Sequence, residues 1–285
     1  MNMAEVFKGK SALVFGSARN IGRAVVREFA RRGARVAVAD LDFAGAEETA
    51  GLIREAGGEA VPLKCNVMES ASIREAAIAA EAALGEIDIV MNNAGLLHSG
   101  NPEDFPFSEW ERMIGCNLMG MIRSIEVFLP KMLARGHGYI VNTGSFAGLY
   151  PYAASRIPYA VSKAGVIALS ENLALYAIPK GVKVSCLCPG PVMTTSANTM
   201  KTFSENVPMR GPGKHLWVKS QEEVAILLAD GMEADCIIIP THEEVRETML
   251  EWAASPDDFI RKQIATFAAG DIGQPQIDRT KFGLR

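Results

Sequence analysis

Seven short apolar runs separated by helix-length amphipathic stretches constrain this chain more than any other feature. Residues 11–15, 35–40, 60–63, 87–91, 139–142, 182–187 and 236–239 read as strands, recurring roughly every 25 to 50 residues. Helices are expected between them at 21–32, closed by Gly33, at 70–84, closed by Gly85, and at 158–178, closed by Pro179 and Gly181. Continuous Val, Ile, Leu and Ala runs mark strands buried on both faces, and helices inserted between such strands make the sheet parallel. The expected fold is α/β, a doubly wound parallel sheet of about seven strands.

At 285 residues and 48% hydrophobic, the chain can bury one large core. No Pro/Gly-rich linker splits its first 190 residues, so residues 1–240 are expected as one domain, followed by a helical extension and tail at 241–285. In that extension Thr241-His-Glu-Glu244 and Ser255-Pro-Asp-Asp258 both resemble helix starts, a hydroxyl cap with an acid three positions on. With 33 acidic against 29 basic side chains, net −4, the chain has no strong electrostatic hold on nucleic acid or anionic lipid, and neither is an expected partner. The uncharged stretches 138–155 and 184–200 are interrupted by Gly, Pro and Ser, so no membrane span is expected. The N-terminus lacks the apolar region of a secretion signal. The five scattered cysteines read as reduced thiols, which points to a cytoplasmic location.

Directly after the first strand comes Gly16-Ser17-Ala18-Arg19-Asn20-Ile21-Gly22, opening a helix whose Ile21, Ala24, Val25 and Phe29 share a face. A strand, Gly loop and helix aim free backbone N–H groups and a positive helix end at one point, where a pyrophosphate can sit. Asp40 ends the second strand, 24 residues after Gly16. Its carboxylate can accept both hydroxyls of an adenosine ribose and would repel a 2′-phosphate. Arg19 could reach a 2′-phosphate, but Leu41, not a base, follows Asp40. NAD is expected over NADP.

Tyr159-Ala-Val-Ser-Lys163 places a phenol and an ammonium one helical turn apart on one face. A neighbouring cation favours phenolate, so the pair can serve as a general acid/base. Tyr176 also has a lysine four residues on, Lys180, but Pro179 ends that helix between them, whereas Pro158 starts the helix carrying Tyr159. Upstream, Tyr139-Ile-Val-Asn-Thr-Gly-Ser145 ends a strand in a small-residue turn that exposes a hydroxyl at the C-terminal edge of the sheet, where ligands bind in such folds.

Together with Asn92-Asn93-Ala94-Gly95, Asn117 in Asn-Leu-Met-Gly120, and Pro189-Gly190 followed by Val192 and Thr194, these pieces resemble the short-chain dehydrogenase/reductase family over about residues 8 to 240. The resemblance implies a Rossmann-like fold and hydride transfer between a secondary alcohol or ketone and the nicotinamide C4. It implies Tyr159 as the proton-transferring group, Ser145 as hydrogen-bond partner of the substrate oxygen, and Lys163 on the nicotinamide ribose. Asn117 would anchor a water in a proton relay, Asn93 to Gly95 would line the adenosine side, and Thr194 would fix the carboxamide. It also implies a homodimer or homotetramer, for which the small residues Ala160, Ala164 and Ala168 would allow close helix packing. Three positions depart from the family pattern: Phe15 in place of Thr, Asn20 in place of the second Gly, and Asn66, before Val67, in place of the adenine-facing Asp. Asn enters left-handed backbone more readily than other residues with a side chain, and an amide can still bond adenine.

Other classes fit less well. Gly144-Ser-Phe-Ala-Gly148 misses the Gly-x-Ser-x-Gly of serine hydrolases by one position. The four histidines lie far apart and no metal is expected; His98 alone is placed to approach the pocket. An NADP-dependent 3-ketoacyl-type reductase and a non-catalytic nucleotide-binding regulator are the alternatives. Residues 195–217, rich in Met, Pro and Gly, suit a lid that orders on binding. With Leu96, Leu97, Tyr150, Tyr152 and Met193 near the mouth, the expected substrate is an apolar, aromatic or alicyclic alcohol or ketone, and no cationic cluster is evident there.

Overall fold

The computed structural model describes residues 6–195 and 199–284. Seven strands, β1 (Ser11–Phe15), β2 (Arg35–Asp40), β3 (Ala60–Lys64), β4 (Ile89–Asn92), β5 (Gly138–Thr143), β6 (Val182–Cys188) and β7 (Ile238–Pro240), form one parallel sheet in the order β3-β2-β1-β4-β5-β6-β7. The seventh strand lies slightly later than its apolar run suggested. Helices α1 (Asn20–Arg31), α2 (Phe43–Glu55), α3 (Ser70–Leu84), α4 (Phe107–Ile114), α5 (Gly120–Arg135), α6 (Phe146–Leu149), α7 (Ile157–Ala177) and α8 (Gln221–Glu233) fill the crossovers, and α9 (Val245–Ala254) and α10 (Pro256–Ala268) follow the sheet.

The alternation of side chains along a strand divides the core in two. Ala12 and Val14 of β1 pack with α1 and α8 on one face, while Leu13 and Phe15 pack with α3, α5 and α7 on the other. This burial explains Phe15: it is 1% exposed and belongs to the core, not the nucleotide loop. A smaller cluster of Phe146, Leu149, Tyr150, Leu216, Val245 and Phe259 joins the end of the sheet to α9 and α10. The strand order reverses between β1 and β4, so their C-terminal ends splay apart into the crevice where such folds bind ligands.

One expectation changes and one gains a qualification. The helical runs Phe107–Arg135 and Ala154–Lys180 are long and apolar enough to cross a membrane by length and composition alone. Here both bury Phe128, Met132, Val166 and Leu173 in the protein core, which is what their apolar content serves. Thr241 does not cap a helix. Its hydroxyl accepts the Gly190 N–H at 2.8 Å and bonds His242 Nδ1 at 2.9 Å, and α9 starts only at Val245.

Two histidines are buried by this packing. His98 Nδ1 accepts the Lys201 N–H at 2.9 Å, and His242 Nε2 donates to the Trp217 carbonyl at 2.6 Å. His98 is 3% exposed and is not among the residues lining the crevice between β1 and β4. Burial pushes the pKa of both below that of a free imidazole. Below about pH 6.5 the unfolded chain therefore binds protons that the folded chain refuses, and stability falls as the pH drops toward the folded values. We expect stability to be flat near neutrality and to fall as the pH drops below about 6.5, by at most about 1.4 kcal/mol per pH unit per histidine, read from the thermal melting temperature. His242→Gln should shrink that slope, and a slope unchanged by both His98→Gln and His242→Gln would reject the assignment.

Candidate active site

The crevice is a cavity of about 820 Å³ running from Asp40 at one end to Tyr152 and Arg156 at the other. At its nucleotide end Gly16 adopts φ +77°, and a Cβ there would lie 2.5 Å from Ala94 Cα. Asn20 takes φ +52°, so the amide residue does enter the left-handed region that the departure from glycine requires. Its side chain does a second job: Oδ1 accepts both the N–H and the hydroxyl of Thr195, at 3.0 and 2.9 Å, tying the Gly loop to the segment after β6.

Asp40 is held by backbone, its Oδ2 accepting the Ala18 N–H at 2.9 Å and its Oδ1 the Asp42 N–H at 3.0 Å. Arg19 ion-pairs with Asp42 at 3.1 Å. Ile21, Leu41, Val67, Ala94, Gly95, Pro189, Gly190, Val192 and Thr194 all line the cavity. Asn66 lines it too, but its amide is engaged in its own turn, donating to Glu69 at 2.7 Å and accepting from Met68 at 3.1 Å.

Four expected residues do not line it. Ser17 is 0% exposed and donates to the Val14 carbonyl at 2.7 Å, so it shapes the loop from beneath. Gly22 serves close packing: a Cβ there would sit 2.0 Å from Gly16 O. Met193 is instead tied by its backbone to Lys219 and Gln221. Asn117 is 0% exposed, in a single π-helical turn, Gly115–Met119, between α4 and α5. Its Oδ1 accepts the Leu96 N–H at 2.7 Å, and its Nδ2 donates to Leu96 O at 2.9 Å and Ser162 Oγ at 3.0 Å. That side chain positions the Leu96 loop, with both amide N–H groups committed.

At the other end of the cavity Ser145, Tyr159 and Lys163 come together on its wall. Ser145 caps α6, its Oγ accepting the Ala147 N–H at 3.2 Å, which leaves the O–H to donate. Lys163 is 3% exposed; its Nζ donates to Thr143 O at 2.7 Å and lies 5.7 Å from the Tyr159 ring centre. Thr143 donates in turn to Asn93 Oδ1 at 3.2 Å, and Asn93 Nδ2 donates to Gly16 O at 2.7 Å. One chain of hydrogen bonds thus joins the lysine to the Gly loop. Burial pushes the phenols of Tyr150 and Tyr152 well above the ordinary tyrosine range, so both stay neutral hydrogen-bond donors.

The substrate end departs from the expectation of an apolar mouth without cations. Leu97 and Tyr152 line it, but so do Arg112, Arg156 and Arg210, together with Gln274 and Pro275. Tyr150 is buried beneath, donating to Pro212 O at 3.0 Å. Residues 196–198 of the expected lid lie outside the described residues. Its remainder is already stitched down: Ser99 N bonds Lys201 O, Arg156 bonds Arg210 O, and residues 272–276 of the tail pair with 211–218. The tail joins the site through contacts more than 50 residues apart in sequence, a separation that leaves no local pattern to read.

A group of Glu86, Asp88 and His137 brings ligand atoms within 4.8 Å of one another on the surface, so titratable residues are less scattered than expected. Lys10 and Arg135 already pair with its two carboxylates, at 3.1 and 3.2 Å.

The short chain dehydrogenase family profile matches residues 10–205, and the chain belongs to the short-chain dehydrogenase/reductase family of oxidoreductases. It is 32% identical over 212 residues to 2,5-dichloro-2,5-cyclohexadiene-1,4-diol dehydrogenase LinX of Sphingobium indicum, covering 73% of this chain and 84% of that one. It is 35% identical over 186 residues to D-threitol dehydrogenase of Mycolicibacterium smegmatis, covering 65% and 71%. Among solved structures, a short chain dehydrogenase/reductase from Burkholderia phymatum in complex with NAD superposes with a TM-score of 0.75 at 29% identity, over 85% of this chain and 92% of that one.

Proposed function

We propose that this protein is an NAD(H)-dependent oxidoreductase interconverting a secondary alcohol and a ketone, with Tyr159 as general acid/base. One observation carries the reading: Ser145, Tyr159 and Lys163 line the same cavity whose far end is built from Gly16 and Asp40. The nucleotide end fits a dinucleotide, because Gly16 on its wall and Gly22 beneath it let the loop pack closely against Ala94 and Asn93 where a Cβ would clash, and Asp40 is fixed to receive ribose hydroxyls. Bound NAD supplies a hydride acceptor at the nicotinamide C4. Tyr159 takes the alcohol proton, while Ser145 donates a hydrogen bond to the same oxygen and holds it in place. Lys163, with Thr143 O as its one protein acceptor among the described residues, has further N–H donors for a ribose hydroxyl. The body of the substrate is cyclic or aromatic, a reading supported by Leu97, Tyr152 and Met209 on the wall and by the cyclic diol named for the Sphingobium relative. The chain forms a homodimer or homotetramer; exposed Val161 and Leu175 beside Ala164 and Ala168 on α7 support this, and sedimentation measures it.

NAD is preferred to NADP. Asp40 would meet a 2′-phosphate with like charge, and Arg19, the one cation in the loop, is already paired with Asp42. The NAD complex of the Burkholderia relative agrees with this preference. Initial rates should favour NAD by about 100-fold or more, and Asp40→Ser should narrow the gap by about ten-fold or more, consistent with the several kcal/mol that like-charge juxtaposition costs. Equal rates with NADP in the unaltered protein would refute this role for Asp40.

A further inference from the structure

Three arginines reach the substrate end of the cavity, and no aspartate or glutamate lines that end; the cavity's carboxylates, Asp40 and Asp42, are at the nucleotide end. Glu109 lies 3.6 Å from Arg112 and partly offsets it. Arg156 and Arg210 have no carboxylate partner among the described residues. Arg156 donates one N–H to Arg210 O at 2.5 Å and lies over the Tyr152 ring at 5.7 Å, and its Nε is buried with no hydrogen-bond partner in the protein. Arg210 is stacked on Phe267 of α10 at 4.0 Å. Both side chains are half-buried, a guanidinium cannot shed its proton, and a charge partly withdrawn from water without a counter-charge carries a cost. The aromatic faces hold the two cations in place without neutralising them, and planar guanidinium matches a carboxylate in fork geometry.

Resting on the alcohol–ketone reading above, we propose that the substrate is a hydroxy acid or keto acid whose carboxylate is bound by Arg156 and Arg210. Arg156 stands three residues before Tyr159, on the turn leading into the same helix. The carboxylate is thereby held one helical turn from the acid/base, with the hydroxyl-bearing carbon between them. Arg210 is delivered by the segment that the tail straps down through Gln274 and Ile272, so the C-terminal extension sets the substrate's charge as well as covering its site.

The test compares initial rates with NAD for a graded series of linear and cyclic hydroxy acids, each beside its methyl ester. The acid should be preferred by roughly 30-fold or more in kcat/KM, as expected for a desolvated charge pair. Arg156→Gln should bring the ratio near unity, and Arg156→Lys should keep part of it. A second arm needs no turnover: cyclohexanecarboxylate is titrated calorimetrically into the protein saturated with NADH. It should bind, and Arg156→Gln and Arg210→Gln should each weaken binding by about ten-fold or more. Should Arg156→Gln fail to fold, Arg210→Gln gives the same readout from a surface segment. Equal use of acids and esters, or carboxylate binding indifferent to both arginines, would overturn the proposal. Arginine-dependent carboxylate binding with no oxidation of any alcohol would instead overturn the hydride-transfer reading and leave only the carboxylate site standing.

Discussion

Replacing Tyr159 with phenylalanine is expected to lower kcat for alcohol oxidation by about 10² to 10⁴-fold, the range supplied by a positioned general acid/base, while NADH affinity changes by no more than a few-fold. The substitution isolates the chemistry because the ring is retained and only the hydroxyl is lost. That hydroxyl makes no hydrogen bond to the described protein, so the fold does not depend on it. The Lys163 ammonium keeps its bond to Thr143 O, and Ser145 keeps its cap on α6. A loss of this size corresponds to about 3 to 5.5 kcal/mol of barrier. It should appear in kcat and kcat/KM together, since the proton moves only in the transition state. Calorimetry with NADH and single-turnover absorbance measure the two quantities separately. Turnover within ten-fold of the unaltered protein would show that another group moves the proton, and a collapse of NADH binding would show that Tyr159 serves the fold or the cofactor first.

The contrast between Tyr159 and Asn117 shows what could be read from the chain. Tyr159, Lys163 and Asp40 owe their positions to local geometry: one helical turn in the first pair, the end of a strand in the third. Periodicity and punctuation reveal such placements. The doubly wound sheet was legible for the same reason, since strands buried on both faces leave continuous apolar runs. The partners of Asn117, Ser17 and Thr241 were not legible because a short polar side chain bonds whichever group the tertiary fold brings near. Leu96, Val14 and Gly190 are those groups, and none is predictable from neighbours in sequence. The arginine cluster was hidden more deeply. Arg156 and Arg210 are separated by 54 positions and meet through a hydrogen bond that depends on the tail strapping the intervening segment. A cation in a sequence reads as surface by default, and its place in a cavity is decided by packing alone.

Gly22→Ala is the second large effect expected, a loss of NADH affinity of about 100-fold or more from the addition of one methyl group. The added carbon would sit 2.0 Å from Gly16 O, 2.7 Å from Asn93 Nδ2 and 2.8 Å from Ser17 Cα. Non-bonded heavy atoms favour separations of about 3.5 to 4 Å, so α1 or the Gly loop must move by more than about 1 Å. Neither can move alone. Gly16 O is held by Asn93, Asn93 accepts from Thr143, and Thr143 O receives the Lys163 ammonium. Displacing the loop therefore removes the phosphate cradle and also disturbs the lysine beside Tyr159, so residual turnover at saturating NAD should fall as well. Gly51→Ala is the control. Gly51 lies within α2 with nothing within 4 Å of its would-be Cβ, and there alanine should stabilise the helix by about 0.5 to 1 kcal/mol. If Gly22→Ala bound NADH within a few-fold of the unaltered protein, the loop would be more compliant than this hydrogen-bond chain allows, and the coupling between nucleotide and catalytic ends would have to be abandoned.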